Sequence, residues 1–158
     1  MWQLNNNKFN RKTVEKRGEF QMKMKKYRID CPYCGSPALC QPASMVHGSS
    51  VLEKGRYLYV CSSWPKCDAY VAAHKKDKSP MGTLANGSLR RKRILAHHAL
   101  KELQTSRHME KWAAYLWLQA KLGLSEEQAH IGLFSEQMCD RMVSLCRQAK
   151  GTCPQMTA

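Results

Sequence analysis

Carboxylates are scarce in this sequence. Asp and Glu number 12 against 26 Lys and Arg, a formal charge of +14 over 158 residues. Metal-dependent cleavage of phosphodiesters needs clustered acids or His sets to hold an ion and activate water. Glu53, Asp68 and Asp77 form no such spacing, and the adjacent His97 and His98 point in different directions if helical. There is no G-x-x-x-x-G-K-[ST] loop for nucleotides. The expectation is a protein that is not an enzyme and takes no small-molecule substrate. Long apolar runs are missing too. No stretch approaches the roughly 18 residues of a membrane-spanning helix, and no basic segment in the first hundred residues carries a broad apolar face suited to a membrane surface. Met1 to Asn10 lacks the apolar core and cleavage site of a secretory leader, so the chain is expected to stay in the compartment where it is made. In a reducing cytosol its eight cysteines favour metal ligation or buried thiols over a disulfide framework.

The positive charge is uneven. Residues 1–30 carry nine basic and three acidic side chains, residues 31–106 eleven and four, and residues 107–158 six and five. The first two-thirds can therefore track a polyanion, releasing condensed counterions as phosphates are neutralised. Residues 1–29 contain few apolar side chains and read as a basic tail that is disordered alone. Residues 30–74 read as strands and turns, with β-prone runs at Tyr57 to Val60 and Ala69 to Val71 and a loop over 40–55. Residues 75–87 read as a second loop, punctuated by Pro80, Gly82 and Gly87.

Residues 88–150 read as a helical module, followed by a frayed tail over 151–158. Ser88 is placed as the N-cap of a helix to about Gln104, with Leu89, Leu95, Ala96, Ala99, Leu100 and Leu103 facing the core. A second helix runs from His108 to Leu122 and closes at Gly123. Ser125 to Gln128 has the pattern of a capping box. Ser135 opens a last helix to about Lys150. The fold class is α+β: a small antiparallel ribbon followed by a three- to four-helix module.

Cysteine spacing is the most specific signal. Cys31-x2-Cys34 and Cys61-x5-Cys67 are two pairs separated by 26 residues. Structural Zn²⁺ takes four thiolate or imidazole ligands in a tetrahedron, and two turns supplying two each satisfy it. Gly35 permits a tight turn in which backbone N–H groups point at the sulfurs. One structural Zn²⁺ is expected, on Cys31, Cys34, Cys61 and Cys67. Cys40, His47 and His74 lie near enough in sequence to be alternative ligands. Cys139 and Cys146, at i and i+7, read as core fillers, with a second metal site using His130 and Cys139 as the other reading.

Candidate nucleic-acid contacts are Trp64, Lys66, Lys75, Lys76 and the run Arg90-Arg91-Lys92-Arg93. Cations in the first turn of a helix oppose the macrodipole, and a bound phosphate reverses that penalty; a solvated charge run is the other reading. Trp64 is either a base-stacking platform or a cover for the metal site. Tyr57, Tyr59 and Tyr70 favour packing over stacking. Trp112, Tyr115 and Trp117 read as core or as a protein-contact patch.

Two resemblances follow from these residues. Cys31-Pro32-Tyr33-Cys34-Gly35 with Cys61-Ser62-Ser63-Trp64-Pro65-Lys66-Cys67 resembles the zinc ribbons at the C-terminus of bacterial type IA topoisomerase I, over residues 31–71. That resemblance implies a Zn-bound antiparallel ribbon that binds single-stranded DNA. More broadly, the ribbon with Pro80 to Asn86, Leu89-Arg90, Ala96-His97, His130-Ile131-Gly132 and Cys139 is similar to an uncharacterised zinc-finger-containing family of phages and bacterial mobile elements, over about 31–147. It implies a bacterial cytoplasm and no particular reaction. The favoured function is therefore zinc-dependent binding of nucleic acid, DNA or RNA, with single strands preferred. The alternative is an effector that binds and modulates a host or phage nucleoprotein machine, for example an anti-defence or anti-CRISPR-type inhibitor.

Overall fold

The computed structural model describes residues 27–48 and 55–151. Of the expected tails over 1–29 and 151–158, residues 1–26 and 152–158 lie outside the described residues, as do residues 49–54 of the expected loop over 40–55. Three antiparallel strands come first: β1 (Ala38–Pro42), β2 (Tyr57–Cys61) and β3 (Tyr70–Ala72), in the order β1-β2-β3. A four-residue helix, α1 (Ser44–His47), follows β1. The helical part is α2 (Gly87–Ser106), α3 (Lys111–Leu122), two short 3₁₀ turns at Glu127–Ala129 and Ile131–Leu133, and α4 (Glu136–Gly151). The α+β expectation holds. No described helix is long and apolar enough to cross a membrane.

Strand alternation sorts the ribbon into two faces. Register places Ala38 opposite Cys61, Cys40 opposite Tyr59 and Tyr59 opposite Val71. These residues, with Ala69, Ala73 and Leu84, form the core on one face. Leu58, Val60 and Tyr70 face the other way, where Ala43 and Val46 cover them. Within the expected loop over 40–55, residues 40–42 belong instead to β1. Tyr27 and Ile29, assigned to the tail, pack on the ribbon core: Tyr27 meets Tyr59 edge-on at 6.4 Å, and Ala38 N–H donates to Ile29 O.

In the helical module α2 buries Leu89, Arg93, Ala96, Leu100 and Leu103, a stripe at helical spacing that packs mainly on α4. Leu95, placed in the core by sequence, is exposed, and the buried arginine Arg93 holds the place in the stripe. α4 contributes Cys139, Met142 and Cys146, all fully buried, as core fillers. Burial raises both cysteine thiols, Cys146 to about 11. Asn86, not Ser88, caps α2, accepting the Leu89 N–H at 2.9 Å. Gly123 closes α3 with φ +67°. Ser125 and Gln128 exchange the two bonds of a capping box.

The segment 80–86 ties the two parts together. Ala85 pairs with Tyr70, Ala73 pairs with Pro80, and Thr83 N–H donates to Gly132 O. Gly82 and Gly132 meet backbone to backbone. A Cβ on Gly82 would stand 2.1 Å from Gly132 O, and one on Gly132 would stand 2.3 Å from Met81 O. Gly82→Ala is also strained by its φ of +152°. Overpacking against backbone that cannot move aside sets the expected loss for Gly82→Ala at about 2–3 kcal/mol, read as a lower denaturant midpoint with zinc content unchanged.

Candidate metal centre

Cys31 and Cys34 lie in the turn before β1, Cys61 ends β2, and Cys67 ends the turn before β3. Local hydrogen bonds shape both turns. Gly35 N–H donates to Cys31 O and Cys31 N–H to Ser36 O; Trp64 N–H donates to Cys61 O and Cys67 N–H to Ser63 O. Gly35 sits at φ +71°, a backbone region that L side chains rarely adopt. The two turns are held together by Ser62 N–H donating to Pro37 O and by a 2.8 Å hydroxyl contact between Ser36 and Ser63.

This brings four sulfurs into one cluster. Sγ of Cys31 is 3.5 Å from that of Cys67, and Sγ of Cys34 is 3.3 Å from that of Cys61. All four lie within 4.8 Å of one another. A tetrahedron with Zn–S bonds of 2.3 Å has sulfur–sulfur edges of about 3.8 Å. The cluster therefore has the size of a zinc tetrathiolate.

Electrostatics points the same way. Backbone N–H groups two residues on, those of Ser36, Ser63 and Ala69, stabilise thiolate charge on Cys34, Cys61 and Cys67. At exposed Cys34 the Ser36 hydroxyl and N–H, joined by the Cys61 thiol, lower the pKa to about 6. Burial pushes the Cys61 thiol up. At Cys67 the Ala69 N–H pulls downward, but burial and the three neighbouring thiols together push it up to about 12. One thiolate thus blocks the next, and a bound dication removes the conflict. The four cysteines are positioned to coordinate one zinc ion. Four protein thiolates would close its coordination sphere, as in structural zinc sites.

A family comparison agrees with this geometry: a zinc-finger-containing domain, DUF3268, matches residues 27–149. The chain belongs to that family. The DUF3268 match begins at Tyr27, which packs on the ribbon core. It spans both the metal site and all three long helices, as the broader resemblance implied. No curated protein and no solved structure matches the chain, and nothing found supports the narrower likeness to topoisomerase ribbons.

The alternative ligands lie elsewhere. Cys40 sits opposite Tyr59 in the sheet, with its thiol raised by burial. His47 packs edge-on against Tyr70. Among the described residues the four ribbon cysteines are the one group of His, Cys and acids arranged to hold an ion. His130 and Cys139 do not form a second.

The candidate nucleic-acid contacts are dispersed. Trp64 is half-buried against Tyr70, and Lys66 is exposed beside it in the same turn. Lys75 and Lys76 are exposed in the turn after β3, where their neighbour Lys78 donates to Gly55 O and lies over the Tyr57 ring. That end of β2 is about 13 Å from Cys61 at the strand rise.

The run from Arg90 to Arg93 is not one surface, because successive helical residues point about 100° apart. Arg90 lies 3.9 Å over the Tyr70 ring. Its guanidinium donates to Asp68 O, Ala85 O and the Asp68 carboxylate. The same carboxylate accepts the Gly87 N–H at 2.8 Å, so the residue after Cys67 clamps the start of α2. Lys92 pairs with Asp140 and Glu136. Arg93 is 8 % exposed and bonds only to protein oxygens. Arg91 alone of the four is exposed. Of the aromatic trio on α3, Trp112 is exposed, while Tyr115 and Trp117 pack partly against the helical core.

Sequence reading passed over Tyr33, exposed between Cys31 and Cys34. Its position inside a metal-binding turn was the available signal.

Proposed function

We propose that this protein is a zinc-stabilised, non-enzymatic nucleic-acid-binding protein of the bacterial cytoplasm that prefers single strands. The observation that carries the reading is the join of a closed tetrathiolate scaffold to a strongly cationic chain. The zinc turns expose Tyr33, Lys66 and part of Trp64 on one rigid support. Aromatic rings on such a support stack on unpaired bases, which a duplex keeps within its own stack. The excess of 26 basic over 12 acidic residues supplies the phosphate term.

Salt tests it. With about four phosphate contacts on a single strand, affinity falls about 50-fold between about 50 and 200 mM salt. Anisotropy of a labelled oligodeoxythymidine, titrated with zinc-loaded protein at both salts and repeated with a duplex, reads the slope and the preference. Absence of binding, or affinity indifferent to salt, defeats the reading.

A second reading is an effector that docks on a host or phage nucleoprotein machine. One observation favours it: on α3, Trp112 is 67 % exposed and Leu116, one turn on, is 54 % exposed. Such anchors are typical of protein interfaces. It predicts a stoichiometric protein complex that survives nuclease treatment and is lost on Trp112→Ala.

A further inference from the structure

The basic middle of the chain gives way to its nearly neutral last third between α2 and α3. Residues of α2 and α3 line a groove of about 380 Å³. His97, His98, Lys101 and Gln104 line it from α2, and Lys111 and Tyr115 from α3. A second hollow of about 330 Å³ adjoins it and shares Lys101, Gln104 and Lys111. No acid lines the main groove, and Glu110 is the one acid bordering the second. The other acids nearby are engaged: Glu102 with Lys150, and Glu136 and Asp140 with Lys92. Among the described residues neither Lys101 nor Lys111 forms an ion pair. Burial, His98 and Lys111 together lower the His97 pKa, as a locally positive field does.

Two lysines and two histidines converge here with Glu110 as the one carboxylate at the edge, while Arg90 and Lys92 on the same α2 helix are paired with acids. Such a cleft concentrates anions. Lysine ammoniums take phosphate oxygens as point charges, the imidazoles and the Gln104 amide add hydrogen bonds, and the Tyr115 ring offers a wall for a base or sugar. An acidic peptide would satisfy the charges and leave that ring unused.

We infer that the α2–α3 groove holds the phosphodiester backbone of a single-stranded nucleic acid, with Lys101 and Lys111 as its phosphate contacts. This rests on the nucleic-acid reading above and moves its main contact away from the Arg90 to Arg93 run. The test uses the full zinc-loaded chain and a labelled oligodeoxythymidine. Lys101→Glu with Lys111→Glu is expected to weaken binding at least tenfold and to flatten the salt slope by about 1.4, two contacts' worth. The control, Arg141→Glu with Arg147→Glu on the exposed side of α4, makes the same charge change. It is expected to retain affinity within about threefold at 150 mM salt, where distant surface charges are screened. If the groove variant binds no worse than the control, the groove is overturned and the nucleic-acid reading stands. If the parent protein binds no oligonucleotide, both are overturned. If polyglutamate displaces the strand at equal charge concentration, the groove reads charge alone and the phosphate assignment is overturned.

Discussion

Replacing Cys61 with Ser is expected to abolish zinc retention and to dissolve the three-stranded sheet. Cys61 is 1 % exposed at the end of β2, and its sulfur completes the four-sulfur cluster. A serine hydroxyl is a poor zinc ligand at neutral pH, and three thiolates cannot close the tetrahedron. The fold depends on that closure because the apolar core of the ribbon is thin. Alongside Tyr59, Val71 and Leu84 it contains Ala38, Ala69 and Ala73. Small domains with so little to bury supply at most a few kcal/mol of their own. A structural zinc contributes roughly 10–16 kcal/mol of apparent folding free energy at neutral pH. The helical module has a separate core of Leu89, Leu100, Leu103, Leu118, Ile131 and Met142. Native mass spectrometry should lose one Zn²⁺, and the dispersed amide resonances of β1 to β3 should collapse. Far-UV circular dichroism should keep most of its helical signal. Cys40→Ser and Cys139→Ser, outside the cluster, should keep the metal. A Cys61→Ser protein that retains both its zinc and its sheet rules out the tetrathiolate.

The metal site was legible in the sequence because its determinants are local. A Cys-x2-Cys pair ending in glycine states its own turn, and the bonds inside the turns, Gly35 to Cys31, Cys31 to Ser36, Trp64 to Cys61 and Cys67 to Ser63, span five residues or fewer. Short-range caps were legible for the same reason: Gly123, the Ser125–Gln128 box and Ser135, whose hydroxyl accepts the Met138 N–H. What stayed hidden depends on distant partners. β1 begins with Ala38 and ends with Pro42, residues depleted in strands, and it is a strand because β2 pairs with it. The start of α2 moved back to Gly87 because Asp68, 19 residues earlier, accepts the Gly87 N–H while Asn86 accepts that of Leu89. Ser88 had the right residue type without those partners. The run from Arg90 to Arg93 reads as one charged surface in one dimension. Its division among a ring, three acids and the carbonyls of Thr83 and Phe134 depends on residues as far away as Phe134 and Asp140.

Arg93→Ala separates that division from a simple basic track most sharply. If Arg93 were a phosphate contact, its removal would leave stability near normal and weaken nucleic-acid binding. The structure predicts the reverse order of effects. Nε and Nη2 donate to Phe134 O at 3.1 and 3.0 Å, Nη1 to Thr83 O at 2.8 Å, and Nη2 to Thr83 Oγ1 at 2.7 Å. One guanidinium thereby joins three segments: α2, the strap leaving the ribbon and the turn entering α4. Alanine removes the donors, leaves the Phe134 and Thr83 carbonyls short of partners, and opens a cavity beside Cys139. Charged hydrogen bonds contribute about 1.5–3 kcal/mol each, and the stranded carbonyl of buried Phe134 adds its own desolvation penalty. The expected loss is about 3–5 kcal/mol, a large share of the stability of a small domain. Arg93→Lys should recover little of it, because a single ammonium cannot reproduce the planar fork that reaches Phe134 and Thr83 together. Exposed Arg91→Ala, two residues away, should change stability by less than about 0.5 kcal/mol. Chemical denaturation of the three zinc-loaded variants measures all of this. A protein in which Arg93→Ala unfolds at the same midpoint as Arg91→Ala would return Arg93 to the surface and restore the continuous basic track.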